Sequence, residues 1–419
     1  MKKIFSLFLF LYLLISFSCY QPVPDKKGDE QASVFREGDF GYDLQFLKKQ
    51  DDELVVLKDG ESQLIVSPKY QAKVFTSTAQ GEQGMSFGWI NYKAFGIKVD
   101  AHMNAYGGEN RLWLGPEGGK FSLFFPPESK MIFDNWKTPA AFDTESWILK
   151  TKDSQSVSMY KEMKLLNYRG TNLFLTINRT ITILQKQEII RRTGIAGNDS
   201  VRTVGYETSN ILTNKGEKEW TATTGMPCIW ILDMFKPSPA TVIIVPFQQA
   251  SGEAFVKIVT TNYFGEIPSD RIKHKDSLLL FKADGKNRGK LGIVANKAKH
   301  FAGSYDAVNK VLTIILFDVD GQSRYLNQEW NITRPSFSGD AVNAYNDGPL
   351  ADGSQMGPFY EIESVSPAAF LKPNETLVHR QSVFHFMGHE KKLNQIAISL
   401  FGLSLENINK YFSDEKVNK

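Results

Sequence analysis

The sequence predicts a mainly β protein, a large antiparallel β-sandwich with a short helical C-terminal tail. Aromatic residues make up 12% of its 419 residues, and 30 of them are Phe. Many short runs rich in β-branched residues end at turn residues, which is typical of strands. Helical periodicity appears mainly near the C-terminus, so helices are expected to contribute little to the core.

The clearest strand signals differ in how they alternate. The run Thr171–Leu184 alternates partly, which predicts a half-buried strand. The centre of Lys310–Asp318 is almost wholly apolar, which predicts burial on both faces. Further strands are predicted at Gln63–Pro68, Thr241–Phe247, Ser277–Lys282 and Phe359–Val365.

Residues 389–419 form the predicted helical tail. Apolar residues recur at helical spacing over His389–Leu400 and would form one buried face. Gly402 is placed to end this helix, and Ser404 is placed to cap a second helix over Leu405–Tyr411.

The N-terminus has the pattern of an export signal. Two Lys residues precede an apolar run over Ile4–Phe17, and small Ser18 stands directly before Cys19. This pattern predicts a signal peptide over residues 1–18, with Cys19 as the lipid acceptor of a bacterial lipoprotein. Plain secretion with an incidental Cys19 is the alternative interpretation.

These features divide the chain into four parts and predict where it resides. Residues 19–34 are polar and contain two Pro, as a flexible tether would. Residues 35–388 form the predicted β domain. We therefore expect an exported protein anchored through its lipid in the bacterial envelope, on the periplasmic side or at the cell surface.

Composition argues against several classes of function. The net charge of +3 falls to +1 once Lys2 and Lys3 are removed, which gives no support to nucleic-acid binding. Cys228 has no partner for an internal disulfide, and its apolar neighbours favour an inert buried thiol. The His residues are scattered and there is no phosphate-binding loop, so neither a metal nor a cofactor is expected.

The segment Tyr106–Phe125 is the first candidate for ligand binding. It surrounds Glu109, Arg111, Trp113 and Glu117 with two Gly pairs and a Pro. Arg donates in a fixed fork, carboxylates accept from hydroxyl groups, and Trp stacks on the C–H face of a sugar. The alternative is a pair of tight turns with an internal Arg–Glu bridge.

The segment Asn343–Pro367 is the second candidate. A turn containing Asn346 and Asp347 precedes a strand that carries Glu361 and Glu363 two residues apart, and therefore on one face. If that face lines the concave side, like-charge crowding would raise one pKa and make a general base plausible. If the face is solvated, the pair has no special role.

Weaker candidates lie elsewhere in the chain. Glu207 and Asn210 are polar residues near the end of the strand Val204–Asn214. Trp136 supplies aromatic surface, and His385 lies near the C-terminal strand. For both of these residues, packing in the core is the alternative role.

Four segments carry a resemblance to known families: GGENRLWLGPEGGKFSLFF, WKTPAAFDTESW, YNDGP and GPFYEIESVSPAAFLKPNETLVHRQSVFHF. They resemble an uncharacterised family of secreted proteins and lipoproteins of Bacteroidota, over roughly residues 35–388. More distantly, the chain resembles the galactose mutarotase-like (aldose 1-epimerase-like) superfamily, whose fold is a large β-supersandwich.

The second resemblance implies a role for individual residues. In aldose epimerases a late-strand Glu takes the anomeric hydroxyl proton, which points to Glu363 first and Glu361 second. Arg111 resembles the Arg that binds the sugar. The epimerase His acid has no match, because the stretch expected in its place (205–214) offers Glu207 and Asn210 instead.

The resulting functional hypothesis is a carbohydrate-active envelope protein that binds a sugar in the concave face of the supersandwich. Its reaction would be an epimerase-like or mutarotase-like proton transfer. A non-enzymatic glycan-binding lipoprotein and a structural envelope lipoprotein are the alternatives.

Overall fold

The computed structural model describes residues 35–195, 200–250 and 252–412. The predicted signal peptide, Cys19 and the predicted tether lie outside this part of the chain. Within it, no helix has both the length and the apolar character needed to cross a membrane.

The described residues form strands and four α-helices. The strands are β1 (Val55–Asp59), β2 (Ser62–Ser67), β3 (Lys73–Thr78), β4 (Arg111–Gly115), β5 (Ile148–Lys152), β6 (Ser156–Leu166), β7 (Asn172–Ile183), β8 (Val201–Asn214), β9 (Cys228–Phe235), β10 (Thr241–Pro246), β11 (Val259–Thr260), β12 (Ile272–Lys275), β13 (Leu278–Lys282), β14 (Gly289–Val294), β15 (Phe301–Asp306), β16 (Val311–Phe317), β17 (Asp340–Asn346), β18 (Tyr360–Val365) and β19 (Thr376–Gly388). The helices are α1 (Phe40–Lys48), α2 (Lys186–Thr193), α3 (Glu390–Phe401) and α4 (Leu405–Lys410).

The strands form three antiparallel sheets. The largest has ten strands in the order β12-β13-β10-β15-β16-β19-β8-β7-β6-β5. The second has six strands in the order β11-β14-β17-β18-β9-β4, and β1, β2 and β3 form a third. The predicted mainly β, antiparallel class is confirmed.

The predicted strands are confirmed, with ends that differ by at most three residues. Strand β7 alternates between buried residues and residues that are partly buried or exposed along much of its length. Strand β16 is buried almost throughout, because its two faces meet different layers. Ile315 faces the core between the sheets, and Leu312 faces the helices.

The tail helices are also confirmed. His389 precedes α3, and Gly402 ends it in a left-handed conformation with φ of 68°. The Ser404 hydroxyl accepts a hydrogen bond from the backbone N–H of Asn407 and so caps α4. Apolar residues of both helices pack on the outer face of the ten-stranded sheet.

Helices α1 and α2 were not predicted. Helix α1 is only nine residues long and buries Phe40, Leu44 and Leu47 against the three-stranded sheet. Helix α2 is highly charged and buries one side chain, Ile189. Its Glu188 pairs with Arg191 and Arg192 at helical spacing.

The core between the two large sheets determines which face each side chain takes. On β18, Tyr360 contacts Ser304 of the ten-stranded sheet, with 2.8 Å between their hydroxyl oxygens. Ser364 likewise contacts His379 of β19. Because side chains alternate along a strand, Glu361 of β18 points to the opposite face, away from the ten-stranded sheet.

Candidate functional site

The register of the six-stranded sheet brings candidate residues of distant segments onto one face. Arg111 of β4 is paired with Leu232 of β9, and Leu232 is paired with Glu363 of β18. Glu361 is paired with Tyr345 of β17, and Tyr345 is paired with Lys290 of β14. Residues paired across antiparallel strands point to the same face of the sheet.

Two ion pairs form on this face. Arg111 donates from Nη2 to Oε1 of Glu361 at 2.6 Å. Lys290 donates from Nζ to Oε2 of Glu363 at 2.8 Å. The exposed fractions of these four residues are 7% for Arg111 and Lys290, 6% for Glu361 and 0% for Glu363. Removing charges from water this completely is costly unless they are paired.

Trp residues complete this cluster. Trp230 of β9 donates its indole N–H to Glu363 Oε2 at 2.8 Å, and the Lys290 ammonium lies 4.7 Å from the centre of the Trp230 ring. The guanidinium of Arg111 lies 5.2 Å from the Trp113 ring. Both cations are therefore held between a carboxylate and an aromatic face.

The two carboxyl groups of β18 have different surroundings. Burial raises the pKa of Glu361 above its usual range, the charge of Arg111 opposes this rise, and the nearby Glu363 adds to it. Oε2 of Glu363 accepts two hydrogen bonds, from Lys290 and Trp230. Two neighbouring carboxyl groups in different surroundings are candidates for general acid–base chemistry.

Some polar atoms of the cluster are left unbonded. Neither Oε1 of Glu363 nor Nε of Arg111 has a hydrogen-bond partner in the part of the chain that the structure describes. A buried donor or acceptor without a partner costs about 1–3 kcal/mol. A ligand hydroxyl can bond to both kinds of atom.

Glu117 joins this cluster from the loop after β4. Burial raises the pKa of its carboxyl group, Lys290 opposes the rise, and Glu363 adds to it. Its Oε1 accepts the indole N–H of Trp330 at 3.0 Å. The Trp330 ring stacks on Trp136 with 6.0 Å between ring centres.

A third carboxyl group lies at the far side of the cluster, on β17. Asp340 Oδ2 accepts a hydrogen bond from the Tyr263 hydroxyl at 2.7 Å, and Asn343 donates to the same hydroxyl at 3.3 Å. Burial raises the pKa of Asp340 to about 6. The Lys290 ammonium lies 5.6 Å from the Tyr263 ring, which links this group to the ion pairs.

Comparison with known proteins identifies a family. Residues 38–412 match the profile of a family described as a family of unknown function (DUF6786). The chain belongs to this family. A search of curated proteins finds no match.

Solved structures with a similar fold include galactose mutarotase-like proteins. The Slr1438 protein from Synechocystis sp. PCC 6803 is 11% identical, with a TM-score of 0.48 over 80% of this chain and 96% of that one. A galactose mutarotase-like protein from Lactobacillus casei ATCC 334 is 8% identical, with a TM-score of 0.43 over 80% and 100%. A galactose mutarotase related enzyme from Lactobacillus acidophilus is 9% identical, with a TM-score of 0.42 over 80% and 97%. These similarities concern the fold, and they identify no activity or ligand for this chain.

Six of the residues singled out in the sequence come together in this DUF6786 chain. They are Arg111, Trp113, Glu117, Trp136, Glu361 and Glu363. Period-two spacing predicted that Glu361 and Glu363 share a face, and the structure shows that this face is buried by ion pairs and is not solvated.

Glu207 does not join them, contrary to expectation. It lies on the outer face of the ten-stranded sheet, where its carboxylate accepts from Arg192 of helix α2. Asn210 points to the inner face of the same strand, and its Oδ1 accepts from Arg179 at 2.6 Å. Side chains an odd number of positions apart point to opposite faces of a strand. Glu207 and Asn210 are three positions apart, so they cannot line the same cleft.

Glu109 and His385 meet each other inside the sandwich. His385 Nε2 lies 3.0 Å from Glu109 Oε1, and its Nδ1 lies 2.8 Å from the Thr313 hydroxyl. Ser77 donates its hydroxyl to Glu109 as well. Every one of these contacts lies in the core, so the pair is placed to stabilise packing between the sheets.

Asn346 and Asp347 brace turns instead of lining the cluster. Asn346 accepts from the backbone N–H of Gly285 at 2.9 Å and donates to the carbonyl of Asn287 at 2.8 Å. Asp347 Oδ2 accepts from the backbone N–H of Gly357 at 2.9 Å. The polar atoms of Asn346 and Asp347, which were predicted to contact a ligand, are thus hydrogen-bonded within the protein.

The strand expected to replace the epimerase His segment is also elsewhere. Residues 205–214 belong to β8 of the ten-stranded sheet, so they do not flank Glu363. Strand β9 flanks it, and apolar Leu232 lies between Arg111 and Glu363. No His side chain stands at that position.

Sequence reasoning missed Lys290, Trp230, Trp330, Tyr263 and Asp340. Lys290 had a detectable signal, since it is a single charged residue in the otherwise apolar run of β14. Trp330 lies in a loop and had none.

A cavity of about 600 Å³ lies elsewhere, beside residues 367–371 and His300. Its charged side chains Asp318 and Arg380 are about half exposed, at 50% and 54%. It therefore lacks the buried, convergent charges of the ion-pair cluster, which is the stronger candidate site.

Proposed function

We propose that this protein is an envelope lipoprotein, anchored through Cys19, that binds a sugar at the ion-pair cluster of the six-stranded sheet and transfers a proton at the anomeric centre. The observation that carries this proposal is the pair of buried ion pairs, Arg111–Glu361 and Lys290–Glu363, side by side on one face. The resemblance of Glu363 and Arg111 to the epimerase base and sugar-binding Arg supports the same assignment.

Binding would use the groups that lack partners. The free Nε of Arg111 is a donor for a sugar hydroxyl, and Oε1 of Glu363 is an acceptor. The Trp113 ring lies 5.2 Å from the Arg111 guanidinium and is an aromatic neighbour of these groups. A few convergent polar groups among aromatic side chains are typical of small-molecule sites.

The proton transfer assigns different roles to the two carboxyl groups. Glu363, which accepts hydrogen bonds from Lys290 and Trp230, takes the proton of the anomeric hydroxyl. Glu361, whose pKa is raised by burial, acts in its protonated form, in which Arg111 remains a hydrogen-bond donor to it but the ion pair is lost; it donates its proton to the ring oxygen as the bond between that oxygen and the anomeric carbon breaks. Rotation in the open-chain aldehyde and the reverse transfers close the ring as the other anomer and restore both carboxyl groups.

A non-enzymatic glycan-binding protein is the second candidate. It is favoured by Leu232, which stands between Arg111 and Glu363 and supplies no acid. The two functions separate experimentally because a base acts only in the chemical step, whereas ligand contacts act in binding.

Calorimetric titration against monosaccharides and oligosaccharides tests binding, and NMR exchange between sugar anomers tests turnover. Glu363→Gln is expected to lower turnover by about 10²–10⁴-fold, whereas binding is weakened much less, because Arg111 still donates to the sugar and only one hydrogen bond changes. Glu207→Gln is the matched control, because that carboxylate lies on another surface. The double variant Lys290→Met/Glu363→Gln removes the base without leaving an unpaired buried charge, and circular dichroism verifies that each variant is folded.

Three outcomes are distinct. Loss of turnover with binding retained supports the enzyme, and binding without turnover in the unchanged protein supports the glycan-binding alternative. If no sugar of the panel binds, both the enzyme and the glycan-binding hypothesis are contradicted. The structural envelope lipoprotein would then be the remaining hypothesis.

The anchor is tested separately. Cys19→Ala is expected to move the protein from the membrane fraction to the soluble fraction of the cell envelope, because stable anchoring depends on the lipid chains. A variant that stays with the membrane would contradict lipidation at Cys19.

A further inference from the structure

Aromatic rings from three loops form a column beside the ion-pair cluster. Trp330 stacks on Trp136 at 6.0 Å, Trp136 on Phe133 at 6.1 Å, and Phe133 on His102 at 4.4 Å. The planes of successive rings differ by no more than 27°. The column thus joins segments that lie far apart in the sequence.

The column reaches the surface. Phe133 is 59% exposed and Trp330 is 38% exposed, and their apolar neighbours in sequence, Ile132 and Ile332, are 48% and 44% exposed. Apolar surface that is concentrated in this way marks a place of interaction.

The inner end of the column touches the proposed site. Trp330 donates its indole N–H to Glu117 at 3.0 Å. Trp136 stacks on Phe124 at 5.9 Å, and Phe124 lies 5.3 Å from Trp113, the ring beside Arg111. A ligand seated at Glu363 can therefore continue outward over Trp330 towards Phe133.

The charges of the site restrict the ligand further. Both cations, Arg111 and Lys290, are already paired with carboxylates. Glu117, which is partly buried, and Asp340, which is buried, are additional acidic groups with no ion-pair partner among the residues described. At the ion-pair cluster an anionic sugar would therefore meet carboxyl groups, and the two cations there are already paired.

We infer that the ligand is an uncharged oligosaccharide, with one end unit at Glu363 and the following units along the column from Trp330 to Phe133. This inference rests on the proposed function and names the substrate class of the same site. Free monosaccharides would occupy only the inner part, and uronic-acid, sulfated or phosphorylated sugars would be rejected.

Calorimetric titration of the full chain with neutral oligosaccharides of increasing length, and with their uronic-acid counterparts, tests the inference. Affinity is expected to rise about tenfold or more between the monosaccharide and the tetrasaccharide. The acidic counterparts are expected to bind at least about tenfold more weakly than the neutral oligosaccharides. Phe133→Ala should abolish the gain with length and leave monosaccharide affinity unchanged. Phe174→Ala is the matched control, because Phe174 is 43% exposed on strand β7, away from the column.

Two results would overturn the inference and leave the proposed function standing: monosaccharide binding with no gain in affinity with length, or equal effects of Phe133→Ala and Phe174→Ala. Acidic sugars that bind as tightly as neutral ones would refute the charge argument. If no sugar of any length binds, the proposed function fails as well.

Discussion

Breaking the Lys290–Glu363 ion pair by changing one partner should destabilise the protein much more than removing both charges together. The two atoms lie 2.8 Å apart and both side chains are at least nine-tenths buried. At an effective dielectric constant of about 20 their attraction is about 6 kcal/mol, and the cost of removing each charge from water offsets much of it. A single change leaves that cost in place without the attraction.

We therefore expect Lys290→Met and Glu363→Gln each to lower the free energy of unfolding by about 3–5 kcal/mol. The double variant should lose less than about 2 kcal/mol, because no uncompensated buried charge remains. In Glu363→Gln the amide oxygen can still accept the indole N–H of Trp230, so the loss reports on charge. Urea denaturation of all four proteins at one pH gives the double-mutant cycle.

A surface pair serves as the control. Lys161 and Glu145 lie 2.6 Å apart, but the Glu145 side chain is 51% exposed. Lys161→Met and Glu145→Gln should each cost at most about 1 kcal/mol. The reasoning is refuted if the Lys290 and Glu363 variants behave like this control, or if the double variant loses the sum of the single losses.

Three further predictions concern single residues. Burial raises the pKa of Asp340 to about 6, so its contribution to stability is present below about pH 4 and is lost as pH rises through about 6. Asp340→Asn should raise the free energy of unfolding by up to about 3 kcal/mol at pH 7.5 and not at pH 4, as measured by urea denaturation. Burial lowers the pKa of His379 to about 4. The contribution of neutral His379 to the free energy of unfolding is therefore present above about pH 6.5 and is lost as pH falls through about 4. This loss amounts to up to about 3 kcal/mol, and thermal scans across that pH range should show a smaller loss in His379→Gln. A Cβ at Gly107 (φ +81°) would lie 2.3 Å from the Trp89 carbonyl oxygen, whereas Gly170 (φ +79°) has open space, so Gly107→Ala should lower the melting temperature clearly more than Gly170→Ala.

Local sequence patterns predicted most of the elements and part of the site. Strand β16 is apolar at nearly every position, and the tail helices carry a periodic apolar face with a Gly end and a Ser cap. Period-two spacing was enough to place Glu361 and Glu363 together, because the geometry of a strand fixes which residues share a face. These predictions needed no knowledge of distant contacts.

The rest of the site depends on which strands become neighbours. Lys290 is 73 residues from Glu363 in the chain and reaches it because β17 lies between β14 and β18. The prediction for Glu207 was wrong for a related reason. Alternation along a strand shows which residues share a face, but it does not show which face meets the core. In β8 the even-numbered residues from Val204 on meet the core, and Glu207 meets helix α2.

An interior polar network joins the two large sheets. Arg179 bonds to the Ala72 carbonyl at 2.8 Å and to Asn210 at 2.6 Å, and Asn110 bonds to Gln381 across the two large sheets at 2.6 Å. Those bonds serve to join the layers of the fold.

The ion-pair cluster has four nearly buried charged side chains on one face of a sheet, yet Oε1 of Glu363 and Nε of Arg111 remain unbonded. Apolar side chains in place of such pairs are often neutral or stabilising by about 1–4 kcal/mol, so stability alone does not explain these charges. A ligand hydroxyl that donates to Glu363 and accepts from Arg111 would remove the cost of both unbonded atoms. The two unbonded atoms destabilise the protein without a ligand, and a bound sugar would supply the hydrogen bonds that they lack.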